Sequence, residues 1–361
     1  MENEGVSDIV VELGSGVGLV TLNRPKALNA LTLDMIRELT AVLLAWRQDA
    51  SVKAVAIRGE GREGPFGAFC AGGDIRFFHQ AAHAGDPRLE DFFTEEYSLD
   101  HLVHGFGKPF IAFMDGVVMG GGMGIAQGAS LRIATGHTKM AMPETNIGLF
   151  PDVGGGYFLG RCPGHIGEYL ALTGHAITGA DAVAVGLADV VVDASRLAPL
   201  WAQLAAGAVP TRSALKQADA PPASTLVSGR AAIDRFFALP TVKDIVAALE
   251  ADAAPWAADT AAVLRKRSPL MLHVVLEQVR RGRESSLAAD LRMERGLVRN
   301  CFHLRPGAAG ETVEGIRALA VDKDHSPRWN PARIEDVTPE MVAAFFEPPW
   351  PPHAHPLRHL G

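Results

Sequence analysis

The chain has little of what marks a secreted, membrane-embedded or metal-stapled protein. Three cysteines, Cys70, Cys162 and Cys301, are scattered through 361 residues. They form no CxxC pair and no even framework, so they read as reduced thiols. No uncharged apolar run approaches the ~20 residues that a membrane-crossing helix needs. The amino-terminal MENEGVSDIVVE is acidic. It lacks the basic-then-apolar order of a secretory signal and the basic, Ser-rich character of a mitochondrial leader. A cytoplasmic protein, away from membranes, is the expectation. Positive charge is also short: 34 Lys and Arg against 41 Asp and Glu leave a formal charge of −7. That argues against nucleic acid as the main partner, though not against a local basic pocket for one phosphorylated ligand. The 13 histidines contain no HExxH, and the only HxH, HAH, lies in FEPPWPPHAHPLRHLG at the carboxyl end. The prolines there exclude helix and strand interiors, so a flexible surface tail is expected. No metal site is expected.

What is present is an alternation of strand and helix signals. DIVVEL, GSG and VGLVTL over 8–22 read as two strands around a turn. Thr32 suits a helix cap, with Asp34 in the first turn. Ile36, Leu39, Leu43 and Trp46 then recur at helical spacing. VKAVAI (52–57) and PFIAF (109–113) read as strands, and Leu99, Leu102, Val103 and Phe106 line a helix over 95–106. Strands alternating with helices make the class α/β. Composition shifts over 205–225, AAGAVPTRSALKQADAPPAS, which reads as a linker or exposed connection. The expected organisation is a core over 1–205, a helical region over 226–345 and the Pro-rich tail over 346–361. RKR (265–267) and RRGR (280–283) read as exposed helix faces.

Two acids and two glycine clusters carry the chemistry. MAMPETNIGLFPDVGGGYFL, residues 140–159, places Glu144 and Asp152 in apolar, glycine-rich sequence. An unpaired charge is costly there, and burial raises carboxyl pKa values toward the range useful for proton transfer. A loop carboxylate paired with an arginine, or an Asx-type turn at Asp152, is the plain structural reading. FCAGGDI (69–75) and VVMGGGMG (117–124) let the main chain come close to a ligand. One N–H from each would suit a developing oxyanion. Either cluster alone reads more simply as a tight turn or close packing.

Together these motifs strongly resemble the crotonase (enoyl-CoA hydratase/isomerase) superfamily. LNRPKALNAL (22–31) is similar to its amino-terminal coenzyme A segment. PETNIGLFPDVGGGYFL and EEYSLD (95–100) resemble the 3-hydroxyisobutyryl-CoA hydrolase subfamily. So do SPLMLHVVLEQ (268–278), LRMERGLVRNCF (291–302) and VEGIRALAVDKDHSPRW (313–329). The resemblance implies a spiral of repeated ββα units with a helical carboxyl-terminal region. It implies an acyl-CoA substrate, no separate cofactor, and the N–H groups of Gly73 and Gly121 on the thioester oxygen. Hydratases of this superfamily use two glutamates. One matches Glu144, while the other falls at Gly124, which weakens a water-addition reading.

The subfamily pattern supplies Asp152 instead. Glu144 would attack the thioester carbonyl or activate water, and Asp152 would orient the acyl group or water, or pass a proton. Glu96 matches a substrate-contact position; a solvated helix residue is its alternative. Arg24 and Lys26 are candidate coenzyme A contacts by family position, Lys323 is a further candidate, and Asp74, Ile75 and Arg76 follow the oxyanion glycine along the thioester arm. Solvated surface charge is the even alternative for the basic residues. A homo-oligomer is compatible with the resemblance. The rival readings are an enoyl-CoA hydratase or isomerase and, in a different class, a noncatalytic binding protein.

Overall fold

The two strands expected at the amino end form a hairpin, β1 (Ile9–Gly14) and β2 (Val17–Leu22). Ser15 and Gly16 close it with φ of 47° and 83°. Two successive positive φ values make the turn whose twist suits antiparallel strands. These features come from a computed structural model, which describes residues 7–218, 223–305 and 307–361. Helix α1 (Leu33–Gln48) follows, with Thr32 accepting the Met35 N–H at 3.2 Å as the expected cap. Its buried face is Leu33, Met35, Ile36, Leu39, Leu43 and Trp46. Trp46 lies so close to β2 that a Cβ on Gly18 would collide with the indole.

The remaining nine strands among the described residues divide between two sheets. They are β3 (Ala54–Gly61), β4 (Gly64–Pro65), β5 (Ala68–Cys70), β6 (Phe110–Met114), β7 (Val117–Met119), β8 (Leu131–Thr135), β9 (Lys139–Ala141), β10 (Ile177–Thr178) and β11 (Val190–Val192). The larger sheet runs β1-β2-β3-β6-β8-β11, with β4 off this path on β3, and the smaller runs β10-β9-β7-β5. From β2 to β11 the neighbours in the larger sheet are parallel. Thus β3, β6 and β8 each join the larger sheet, and their successors β5, β7 and β9 join the smaller one. This is the expected spiral of strand pairs, built on an α/β frame. Strands β2 and β6 are buried along their whole length. That is why they read as apolar runs without alternation.

The chain gathers into two compact units. The first holds Met1–Gly73, Leu99–Met140 and Ile177–Thr225; the second holds Asp74–Ser98, Ala141–Ala176 and Leu226–Gly361. Each is assembled from separate stretches, so the units do not follow the linear divisions at 205 and 226. The first unit's core includes Val17, Leu19, Ala56, Ile111, Phe113, Ile133, Val190 and Leu200, with Trp201 against it. The second contains helix α2 (Ile75–Ala84), most of α3 (Arg88–His104), α5 (Gly155–Gly160) and α6 (Ile166–Thr173); the seven-residue α4 (Gly121–Gln127) belongs to the first. From residue 226 on, the described residues are helical or irregular, with long helices at Pro269–Glu284 and Leu287–His303.

Four expectations need correction. The helix expected from 95 begins at Arg88, where Asp86 accepts the Arg88 N–H at 2.9 Å and organises the start. Within 205–225, a helix forms over Arg212–Ala218, and 219–222 lie outside the described residues. The Pro-rich tail is anchored rather than flexible. Leu357 and Leu360 are buried, Arg292 donates to the Leu360 carbonyl at 2.7 Å, and His355 Nε2 meets the Arg292 carbonyl at 3.1 Å. The basic clusters are only partly exposed faces. Arg267 donates to the Thr173 carbonyl at 2.6 Å, Arg280 to Pro240 at 2.6 Å, and Arg283 pairs at 2.8 Å with the fully buried Glu168.

Candidate active site

In the first unit the fold brings the two glycine clusters together. Gly72 has φ of +100°, and a Cβ there would stand 3.3 Å from the Met119 carbonyl and 3.4 Å from Gly121 N. A Cβ on Gly122 would collide with the Cys70 carbonyl. These positions are glycine because two backbones touch, the first in a conformation that other residues resist. Gly121 opens α4, where the first N–H groups of a helix find no partner inside it. Gly73 bridges Leu31 while the Leu31 N–H bonds the Gly72 carbonyl at 2.8 Å. Gly124 is buried inside α4.

The LNRPKALNAL loop is held against the same strands by one side chain. Asn29 sits at φ +57° and is buried. Its Nδ2 donates to the Glu60, Ala68 and Phe69 carbonyls at 3.0, 3.0 and 3.1 Å, and its Oδ1 accepts the Arg24 N–H at 2.8 Å. This accounts for the second asparagine of the motif.

In the second unit, Glu144 and Asp152 lie side by side in electrostatic terms. Glu144 starts a short 3₁₀ turn (Glu144–Ile147) and is 6% exposed; Asp152 is 5% exposed. No described group hydrogen-bonds Glu144 Oε2. Burial pushes the Glu144 carboxyl well above the usual carboxylate range, and the neighbouring Asp152 charge adds to it. Burial also pushes Asp152 up to about 6, against the opposing pull of a hydrogen bond from Tyr97. That bond, Tyr97 Oη to Asp152 Oδ2, is 2.8 Å and buried. Tyr97 itself is pushed well above its ordinary value, first by burial and then by the Asp152 charge, so its hydroxyl keeps its proton and donates. Two carboxyls that titrate nearer neutrality than ordinary acids are suited to proton transfer or to nucleophilic work.

Tyr97 escaped the sequence reading although it stands inside EEYSLD. The usable signal was Phe93 and Tyr97 at helical spacing, four residues apart and just ahead of Leu99; their rings lie 6.2 Å apart. Glu96, its neighbour on α3, is 2% exposed, which removes the solvated-helix alternative.

The other candidates divide by what their side chains do. Asp74 caps α2, accepting the Phe77 N–H at 3.4 Å; Ile75 is half-buried and Arg76 exposed. Arg24 donates to the Ala30 carbonyl and pairs with Asp8 at 3.5 Å, so its guanidinium has a structural task. Lys26 is exposed beside it, and Lys323 is exposed at φ +57°. Among the described residues no three His, Cys, Asp or Glu side chains are grouped as a metal site. No described helix is long and apolar enough to cross a membrane.

The model of the family described as enoyl-CoA hydratase/isomerase matches residues 17–346. The chain belongs to that family. Within it, a relative from Gallus gallus named mitochondrial 3-hydroxyisobutyryl-CoA hydrolase is 38% identical over 355 residues, 96% of this chain and 90% of the relative. 3-Hydroxyisobutyryl-CoA hydrolase 1 from Arabidopsis thaliana is 38% identical, covering 96% and 93%. Among solved structures, one described as an enoyl-CoA hydratase from Rhodobacter sphaeroides superposes with a TM-score of 0.87 at 38% identity, covering 95% and 98%. One described as a carnitinyl-CoA dehydratase from Mycobacterium thermoresistibile gives 0.86 at 40%, covering 96% and 98%. The family-wide fold expectation is therefore met over nearly the whole chain.

Proposed function

We propose that this family member hydrolyses a short 3-hydroxyacyl-CoA thioester, with 3-hydroxyisobutyryl-CoA, an intermediate of valine breakdown, as its first substrate and 3-hydroxypropionyl-CoA as a similar one. The observation that carries the reading is the buried Asp152, bonded to Tyr97 and acting on Glu144, in a chain with glycine at 124. A hydratase with one carboxylate of its usual two lacks half of its acid–base machinery. The names of the curated relatives support the same choice.

In this reading the Gly73 and Gly121 N–H groups stabilise the oxyanion, each such donor being worth ~3 kcal/mol. Glu144 attacks the thioester carbonyl or activates the water that does. If Glu144 attacks, the mixed anhydride formed on it is then hydrolysed by water; by either route the C–S bond breaks as the oxyanion collapses, the water's hydroxyl ends on the acyl carbon and its proton on the departing thiolate. Asp152 orients the hydroxyacyl group or water and relays the proton, with Tyr97 holding it; Glu96 takes the substrate hydroxyl. Lys26 faces the coenzyme A phosphates, and coenzyme A enters as part of the substrate, with no separate cofactor. A cytoplasmic setting is part of this reading; three buried cysteine thiols fit any reducing compartment, and cell fractionation separates the cytoplasm from the mitochondrial setting in several relatives' names.

The second reading is hydration of an enoyl-CoA, favoured by the descriptions of the two superposed structures. Thiol release from 3-hydroxyisobutyryl-CoA and acetyl-CoA, run beside crotonyl-CoA hydration, separates the two. Rapid release from the hydroxyacyl ester alone supports the hydrolase; hydration without thiol release overturns it.

A further inference from the structure

The turn that carries Asp152 is held from outside. Val153 has φ of +57° and Gly154 of +87°. A β-branched residue in the left-handed region is strained and persists only where its surroundings impose it. The restraint comes from two buried helices. Glu294, on Leu287–His303, accepts the Gly154 N–H at 2.7 Å through Oε2 and the Gly156 N–H at 3.0 Å through Oε1. Gln278, on Pro269–Glu284, donates to the Pro151 carbonyl at 2.6 Å and to Glu294 Oε1 at 2.9 Å. Asp290, one turn before Glu294, accepts the Tyr157 N–H at 2.7 Å. Asp152 is thus bracketed, Pro151 on one side and Gly154 on the other, by a single linked pair of side chains. All three are fully buried.

The next residue holds the other partner. Arg295 donates to Thr94 Oγ1 at 2.8 Å and pairs with Glu90, both on α3, the helix that presents Tyr97. Adjacent residues of one helix therefore fix the two ends of the Tyr97–Asp152 bond. A glycine-capped helix start needs some acceptor for its N–H groups, but a buried carboxyl is an expensive one. Its link through Gln278 to the Pro151 carbonyl, on the far side of Asp152, gives it a second task.

We propose that Glu294, with Gln278, is a positioning residue that sets Asp152 through the backbone of Pro151–Gly156; this rests on the hydrolase reading. The test is a double-mutant cycle on the full chain, with thiol release from 3-hydroxyisobutyryl-CoA as readout. Glu294→Gln keeps the shape but turns a donor toward N–H groups. It is expected to lower kcat by about 10- to 100-fold with KM within about twofold, since a displacement near 1 Å is enough for that. In an Asp152→Asn background the same change should cost less than about twofold, because the residue it works through is already disabled. Losses that multiply instead would overturn the proposal. If Glu294→Gln does not fold, Gln278→Met enters the same cycle, with about a 3- to 10-fold loss expected. The Asp152 carboxyl, titrated by carbon NMR without substrate, separates this from the function. Its midpoint should rise by more than about half a unit in Glu294→Gln as the Tyr97 bond loosens. An unmoved midpoint overturns the positioning role, whereas absence of hydrolysis in the wild type overturns only the assigned reaction.

Discussion

Replacing Tyr97 by Phe isolates one bond and predicts its size. The ring stays packed against Phe93, and only the hydroxyl that donates 2.8 Å to Asp152 is lost. That bond favours the ionised carboxyl; with it, burial leaves Asp152 at about 6. A hydrogen bond to a charged group contributes roughly 1.5–3 kcal/mol, and 1.36 kcal/mol is one pKa unit. The Asp152 midpoint should therefore climb by about one to two units in Tyr97→Phe. At pH 7 the ionised fraction would drop from about nine-tenths to between about a half and a tenth. The measurement is kcat/KM for thiol release from pH 5 to 10 in both proteins. The acid limb should move up by the same one to two units, with most of the activity regained at the alkaline end. A limb that stays in place while the whole profile falls would refute the claim that Tyr97 acts by holding the Asp152 charge.

Four further outcomes follow from the same structure. Asp152 binds its proton more tightly folded than unfolded, so its contribution to stability is complete below about pH 4 and lost as the pH rises through about 6. Asp152→Asn should accordingly be more stable than the wild type by up to about 3 kcal/mol at pH 8 and equal to it near pH 4, read by urea unfolding while activity falls. Asn29→Ala strands the buried Ala68 and Phe69 carbonyls and the half-buried one of Glu60 and should lose about 2–4 kcal/mol in urea, with Asn29→Ser no better, because one hydroxyl proton cannot serve all three. Lys26→Ala should raise KM about threefold at low salt, less at high salt, and leave the melting temperature unchanged. Arg24→Ala should lower the melting temperature as well, since its guanidinium ties the Ala30 carbonyl and Asp8.

Features encoded within a few residues were legible in the sequence. Thr32 and the spacing of Ile36, Leu39, Leu43 and Trp46 specify α1 locally, and Ser15–Gly16 specifies the hairpin turn. The glycine clusters were legible as points of close approach, but not whose backbone approached: Gly72 against Gly121, and Gly122 against Cys70. Relations across long separations left no local pattern. Tyr97 and Asp152 are 55 positions apart, and Glu294 stands 140 from Gly154. The tail misled because proline content speaks to backbone conformation and not to burial; Leu357 is fully buried in it. The basic runs misled for a related reason. Their charged heads reach backbone carbonyls rather than solvent alone, as Arg267 reaches Thr173 and Arg280 reaches Pro240.

The central claim, that Glu144 and Asp152 carry out thioester hydrolysis, is tested most directly by one comparison. CoA thiol release from 3-hydroxyisobutyryl-CoA and hydration of crotonyl-CoA are measured side by side in the wild type, Glu144→Gln and Asp152→Asn. The account predicts rapid thiol release in the wild type, its loss in both variants, and little hydration in any of the three. Crotonyl-CoA hydration without thiol release, abolished by Asp152→Asn, would contradict it and would make Asp152 the substitute for the carboxylate missing at Gly124.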